Sequence, residues 1–219
     1  IADNGYAEFD PDQNNRPIRL VTDVPEMGGQ DFVYANEGRK IVFGGAKEDT
    51  IVAAGDDIAD ILVGDEGFAL FDEETGNLTL ISTQEPSHGA RDTLIAGAAL
   101  NVLVGGSGGD DIQGGSVRDL VLGDNGHIAL NPDGTMKKIS SNMVSLDTGL
   151  EVVTLPHIGG DDDIDVGEGS DIVIAGVGSD YINWDSSGTL PEPRIGEDTG
   201  RDIVIGDSGE AIFDATTSV

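Results

Sequence analysis

The chain has 219 residues, 42 acidic side chains against 11 basic ones, and a formal net charge of −31. So negative a chain does not attract nucleic acid or an anionic membrane, and its self-repulsion opposes compaction unless cations offset it. Cysteine is absent, which rules out disulfides and thiolate metal sites, and no apolar stretch approaches the roughly 20 residues of a membrane span.

The chain opens on Ala2-Asp3-Asn4-Gly5-Tyr6-Ala7-Glu8-Phe9. A turn-rich stretch from Asp10 to Arg16 separates it from a second apolar run, Ile18-Arg19-Leu20-Val21, so residues 1–25 read as a β-hairpin segment. Residues 26–63 then carry a nine-residue repeat with an acid at position six and a large aliphatic at position eight. Its copies are Asp31/Val33, Lys40/Val42, Asp49/Ile51 and, after a two-residue slip at Ala53-Ala54, Asp60/Leu62. Residues 64–86 return to the opening motif as Gly64-Asp65-Glu66-Gly67-Phe68-Ala69-Leu70-Phe71, followed by a turn and Leu78-Thr79-Leu80-Ile81.

Residues 87–122 hold the most regular block: Asp92/Leu94, Asn101/Leu103, Asp110/Ile112 and Asp119/Val121, each nine residues from the last. Residues 123–156 form a third hairpin segment, opening on Gly123-Asp124-Asn125-Gly126. Residues 157–205 repeat the block as Asp162/Ile164, Asp171/Val173 and Asp180/Ile182, then Asp202/Val204 after a loop over residues 184–196. Residues 206–219 start another hairpin with Gly206-Asp207-Ser208-Gly209. Both ends break off inside a repeat, the pattern expected of a slice from a longer tandem array.

The clearest copy, Gly105-Gly106-Ser107-Gly108-Gly109-Asp110-Asp111-Ile112-Gln113, reads G-G-x-G-x-D-x-U-x, where U is a large aliphatic. Twelve copies in near-unbroken phase resemble the calcium-binding nonapeptide of the haemolysin-type (RTX) family. The pattern has a physical reason. Glycines at positions one to five let the chain take φ > 0 in a tight turn. Such a turn directs carbonyls toward a common centre, and the Asp adds a carboxylate. Mixed carbonyl and carboxylate ligation suits Ca²⁺, while Mg²⁺ demands tighter octahedral geometry and zinc would want His or Cys.

The resemblance implies an all-β fold: a parallel β-roll solenoid in three blocks of four nonapeptide coils, with β-hairpin excursions between blocks. In that family two nonapeptides make one turn, so successive turns on one side are eighteen residues apart with a calcium ion between them. It implies several Ca²⁺ ions held by Asp31, Asp49, Asp60, Asp92, Asn101, Asp110, Asp119, Asp162, Asp171, Asp180 and Asp202. The regular pairs are Asp92 with Asp110, Asn101 with Asp119, Asp162 with Asp180, and Asp31 with Asp49. Lys40 stands where an acid is expected opposite Asp60. Asp171 meets Asp202 only if the Trp184–Gly196 segment loops out. The further acids Asp56, Asp57 and Asp161 read as solvated charge.

The strands carry a second signal. In even-numbered coils, positions seven and nine are apolar too: Ile41/Phe43, Ile61/Val63, Val102/Val104, Leu120/Leu122, Ile172/Ile174 and Ile203/Ile205. In odd-numbered coils they are mixed, as in Asp111/Gln113 and Asp163/Asp165. One sheet is therefore expected to be apolar on both faces, which demands a cover. Three hairpins, each folded over its own block, are expected to cover only part of it. The remainder is expected to contact another copy, giving a fibre or lattice.

Competing motifs are discounted. Gly105-Gly106-Ser107-Gly108-Gly109 fits G-x-S-x-G but lies inside a nonapeptide with no strand-to-helix elbow. Gly206-Asp207-Ser208-Gly209 fills the same slot as Gly-Asp-Glu-Gly and Gly-Asp-Asn-Gly elsewhere, so its Ser is incidental. Asp161 to Asp165 starts like an EF-hand, but Val166 replaces the needed Gly. His88, His127 and His157 read as turn residues, and Trp184 as packing. No enzyme is expected. The expected function is an extracellular, calcium-stabilised repeat segment of a structural or adhesin-type protein (surface layer, matrix fibre or stalk), exported by a bacterial type I route. Its cell-surface or matrix partner is not named by the sequence. The alternative is the calcium-dependent folding and secretion segment of an exported enzyme or toxin. Neither nucleic-acid binding nor membrane insertion is expected.

Overall fold

A computed structural model of the protein describes residues 1–53, 58–152, 158–183 and 200–214. Asp56, Asp57, His157 and the expected loop from Trp184 fall outside the described residues. Among the described residues there is no α-helix; the chain is all-β, with two short 3-10 turns at Pro11–Gln13 and Pro25–Met27.

Positions seven to nine of each nonapeptide form a short strand, and the strands sort by parity. Phe32–Tyr34, Thr50–Val52, Thr93–Ile95, Asp111–Gln113, Asp163–Asp165 and Tyr181–Ile182 pair side by side in one parallel sheet. Ile41–Phe43, Ile61–Val63, Val102–Gly106, Leu120–Asp124, Ile172–Ile174 and Ile203–Ile205 make a second. Register is kept position on position. Ile112 pairs with Leu94 on one side and Ile164 on the other, as Leu103 pairs with Leu62 and Val121.

This register follows from side-chain alternation. Position eight points to one face and positions seven and nine to the other, and a one-residue slip would put the wrong set inside. The position-eight residues of both sheets, among them Val42, Ile51, Leu62, Leu94, Leu103, Ile112, Val121, Ile164 and Val173, make a shared core. Three-residue strands would be marginal alone. Stacked six deep on a common apolar core, they lose little at each rim.

A third layer covers the even-coil sheet. Gly5–Asp10, Arg16–Thr22, Gly67–Phe71, Leu78–Thr83, His127–Leu130, Met136–Ser140 and Glu210–Ile212 form one seven-stranded antiparallel sheet. The hairpins join edge to edge: Leu20 pairs with Ala69, Ile81 with Ile128, and Ile139 with Ala211. Ala69, Phe71, Ile81, Ile128 and Ile139 then pack onto Phe43, Ile61, Val63, Val102, Val104, Leu120, Leu122, Ile172 and Ile174.

The expectation of partial cover is therefore corrected. Strands in any sheet lie about 4.7–4.9 Å apart. Each block adds two strands to the even sheet and one two-stranded hairpin to the cover, so both layers advance at the same pitch. Leu120 and Leu122 are 2% and 1% exposed, and the face is buried within the chain along most of its length. Among the described residues its terminal strand Ile203–Ile205 is the most open, with Ile203 43% exposed. A short antiparallel pair, Met143–Val144 with Glu151–Val152, lies beyond the third hairpin. Its Val144 packs with Val21 and Phe68 on the outer face of the cover, an element the sequence pattern did not suggest.

This packing predicts that Leu120→Lys with Leu122→Lys abolishes the folded state even in excess calcium, because two ammonium groups would be buried without partners. Leu122→Ala should cost about 2–5 kcal/mol. Urea unfolding measures both; a double variant that folds normally would mean the face is not buried.

Candidate metal sites

The expected ligand residues line up in two rows, one at each edge of the stacked parallel strands. In the odd-coil row, each backbone N–H donates to the carboxylate of the next turn: Asp31 to Asp49 Oδ1 at 2.6 Å, Asp49 to Asp92 at 2.7 Å, Asp92 to Asp110 at 2.8 Å, Asp110 to Asp162 at 2.8 Å and Asp162 to Asp180 at 3.1 Å. In the even-coil row, Lys40 donates to Asp60, Asp60 to Asn101, Asn101 to Asp119, Asp119 to Asp171 and Asp171 to Asp202, all through Oδ1 at 2.7–3.1 Å.

All four eighteen-residue pairs are thus neighbours, and Asp171 meets Asp202. The sequence spacing missed the pairs that bridge blocks: Asp49 with Asp92, Asp60 with Asn101, Asp110 with Asp162 and Asp119 with Asp171. A hairpin inserted in the chain hides them. Asp202 is exposed and Asp31 and Asp180 are half-buried, whereas Asp49, Asp60, Asp92, Asp110, Asp119, Asp162 and Asp171 are buried.

One oxygen of every acid after Asp31 is thereby used. On the odd row the other is not: Oδ2 of Asp49, Asp92, Asp110, Asp162 and Asp180 is buried without a hydrogen-bond partner, as is Oδ2 of Asp60 on the even row, which faces the Lys40 ammonium instead. These oxygens share a cradle with main-chain carbonyls. A methyl group on Gly64 would sit 2.1 Å from Asp92 Oδ2 and 2.5 Å from Gly105 O. One on Gly105 would meet Gly123 O at 2.1 Å and Asp110 Oδ2 at 2.3 Å, and one on Gly123 would meet Asp162 Oδ2 at 2.2 Å and Ala175 O at 2.3 Å. Position one is glycine here because carboxylate and carbonyl crowd the space a side chain would fill.

The hairpin motif adds acids that the nonapeptide reading overlooked. Asp3, Asp65 and Asp124 occupy position two of the turns from which the hairpins leave, where the uninterrupted turns have Gly45, Gly106 and Gly176 at φ of 114–120°. Asp3 accepts from Gly29 and Ala46, Asp65 from Ser107, and Asp124 from Gly160 and Val177. Each carboxylate tethers its hairpin-bearing turn to its neighbours. The signal was present: Asp stands second in all four copies of the motif, while the next residue varies.

The row is electrostatically uncomfortable by itself. Burial, reinforced by Asp110 next door, pushes the Asp92 carboxyl up to about 9. Burial also raises Asp110 to about 8, Asp162 to about 9, and Asp49 and Asp124 to about 7. Asp65, buried beside Asp92 and Asp110, is held well above the usual carboxylate range. Like charges in low dielectric cannot all ionise without a cation among them.

The donor set fits a hard cation. Each cradle offers carboxylate and carbonyl oxygens, as Ca²⁺ prefers, in a turn flexible enough for its irregular coordination. Among the described residues no three His, Cys, Asp or Glu side chains converge, so main-chain carbonyls would have to complete the shell. Bound there, the ion would supply positive charge and cross-link successive turns; the residues holding it would be Asp49, Asp92, Asp110 and Asp162. Comparison with protein-family models, curated proteins and solved structures returned no match.

Two predictions follow from the geometry. Asp110 is fully buried while the Asp111 side chain is 41% exposed and paired with Arg91, so Asp110→Asn should remove about one bound calcium and Asp111→Asn none. Calcium counts by native mass spectrometry decide this, and equal losses would shift the register. The second concerns pH in calcium-free protein. Unfolded Asp ionises near about 4, whereas the buried row resists ionisation to about 7–9. Raised folded values mean that stability is fullest below about pH 4 and is lost as pH climbs toward 9. Urea midpoints of calcium-free protein should fall across that window, and calcium should abolish the decline; a flat calcium-free profile contradicts it.

Proposed function

We propose that this chain is a calcium-stabilised structural module: a parallel β-roll of RTX type, covered along one side by its own hairpins, serving an extracellular structural or adhesin-type protein. The observation that carries the reading is the row of buried carboxylates. Each spends one oxygen on a neighbour's backbone N–H and leaves the other, beside carbonyls, for a cation. Ions in these cradles offset part of the charge of −31 and fasten turn to turn.

The cover supports a structural role over a solely export-related one. A segment needed only to fold outside the cell gains nothing from a second, edge-joined sheet. A rod gains stiffness and solubility, because its apolar sheet is buried along the length of the chain. No catalytic role is proposed for any residue. Secretion follows from the same electrostatics: at cytosolic calcium the acids repel and the chain stays threadable, and at the roughly 10⁻⁴–10⁻³ M affinities of extracellular calcium modules it folds on exit.

Calcium titration followed by far-UV circular dichroism tests this. Strand signal should appear as calcium is added, and magnesium should be much less effective. Full β signal in excess chelator at neutral pH would refute the coupling, and equal rescue by magnesium would refute the ion.

A further inference from the structure

The two rows are not equivalent. On the even-coil row, the space beside Asp60 and beside Asp119 is taken by nitrogen atoms of the chain itself. Lys40 is 8% exposed, and its Nζ donates to Asn36 O at 2.9 Å and pairs with Asp60 Oδ2 at 3.2 Å. Asn36 is position two of the turn that Lys40 closes. The ammonium thus bridges a carbonyl of its own turn and the carboxylate of the next.

Asn101 repeats the arrangement with an amide. It is fully buried, and its Nδ2 faces three oxygens: Gly97 O at 3.0 Å, Ala99 O at 2.7 Å and Asp119 Oδ1 at 2.9 Å. Gly97 and Ala99 are positions two and four of its own turn, and Asp119 closes the next. Two N–H bonds shared among two carbonyls and a carboxylate satisfy oxygens that would otherwise converge on an ion. Asp119 Oδ2 is also engaged, accepting from Gly115 N at 2.7 Å. Both oxygens of Asp119 therefore meet donors of the chain, and Asp60 Oδ2, although it accepts no hydrogen bond, faces the Lys40 ammonium at 3.2 Å, whereas Asp92 and Asp110 Oδ2 face no cationic group among the described residues.

We infer that Lys40 and Asn101 act as resident substitutes for calcium, so that the spaces between Lys40 and Asp60 and between Asn101 and Asp119 hold no ion, and calcium enters these blocks along the odd-coil row alone. This rests on the calcium reading above. It departs from the expectation that Asn101 is a metal ligand: the side chain presents its donor nitrogen to the oxygens, and its Oδ1 caps Asp60 N at 3.1 Å. The physical preference is clear at Lys40. A divalent ion beside a buried ammonium gains less than the existing ion pair, which already neutralises Asp60 without leaving excess positive charge. At Asn101 an ion would have to displace the amide from all three oxygens, leaving buried N–H groups unpaired. In the folded chain one edge of the stack is then fastened at these turns by its own side chains, while the other needs calcium.

The test is the number of calcium ions on the intact, calcium-saturated chain by native mass spectrometry. Asn101→Asp and Lys40→Asp should each raise the wild-type count by one, since each replaces a donor with an oxygen ligand. Folded variants with unchanged counts overturn the inference. If either variant does not fold, anomalous scattering from crystals of calcium-loaded wild type decides it. Peaks confined to the Asp49, Asp92, Asp110 and Asp162 row at these blocks support it, and a peak between Asn101 and Asp119 or between Lys40 and Asp60 overturns it. A wild type that binds no calcium on either row refutes the calcium reading itself, a different result.

Discussion

Neighbouring turns in each row are tied by one recurring hydrogen bond, from a position-six backbone N–H to the position-six carboxylate or amide oxygen of the next turn. Strand pairing satisfies the main chain at positions seven to nine, but the turn that precedes them leaves its N–H groups to other partners. A buried N–H without an acceptor is costly. Asp is short enough to reach the adjacent turn and leaves a second oxygen over. Asn101 shows that the cap and the charge are separable: its amide oxygen caps Asp60 as the carboxylates cap their neighbours. The residue at position six is therefore a backbone cap first, and the proposed calcium site would use its other oxygen.

That second oxygen creates the electrostatic demand of the fold. Repeating an acid at every turn, at the stacking distance of a β-sheet, sets buried carboxylates in file. Protons, calcium or an internal nitrogen can each relieve the repulsion. Among the described residues the odd-coil row has no internal nitrogen beside its second oxygens, and the hairpin acids Asp65 and Asp124 add to the negative field there. The even-coil row relieves part of it with Lys40 and Asn101. One repeat thus yields two edges of different character.

The cover sheet rests on a coincidence of lengths that the repeat enforces. Four nonapeptides give two strands to each parallel sheet, and a hairpin is two strands wide. Sheet spacing is a property of the backbone, so the match holds wherever the block length holds. Removing or adding two coils in one block would leave the hairpins a strand out of step, with a gap over Leu120 and Leu122 or a crowded edge.

By itself the sequence determined the register of the repeat, the parity of the strands, the double-sided apolarity of the even-coil sheet and the four position-six pairs eighteen residues apart. All depend on local period, and a nine-residue period leaves little freedom in where each side chain points. Only the tertiary structure decided what spans the insertions. Asp49 meets Asp92, and Asp110 meets Asp162, because a hairpin leaves and re-enters a turn, and nothing in linear spacing states where a chain comes back. The fit of the hairpins edge to edge, and hence the burial of Leu120 and Leu122 within the chain, arises from the pitch shared by two sheets in three dimensions. The identity of the group that neutralises each acid was likewise a matter of geometry: the sequence named Asn101 as a ligand, but which of its two amide atoms faces the oxygens depends on the turn folded around it.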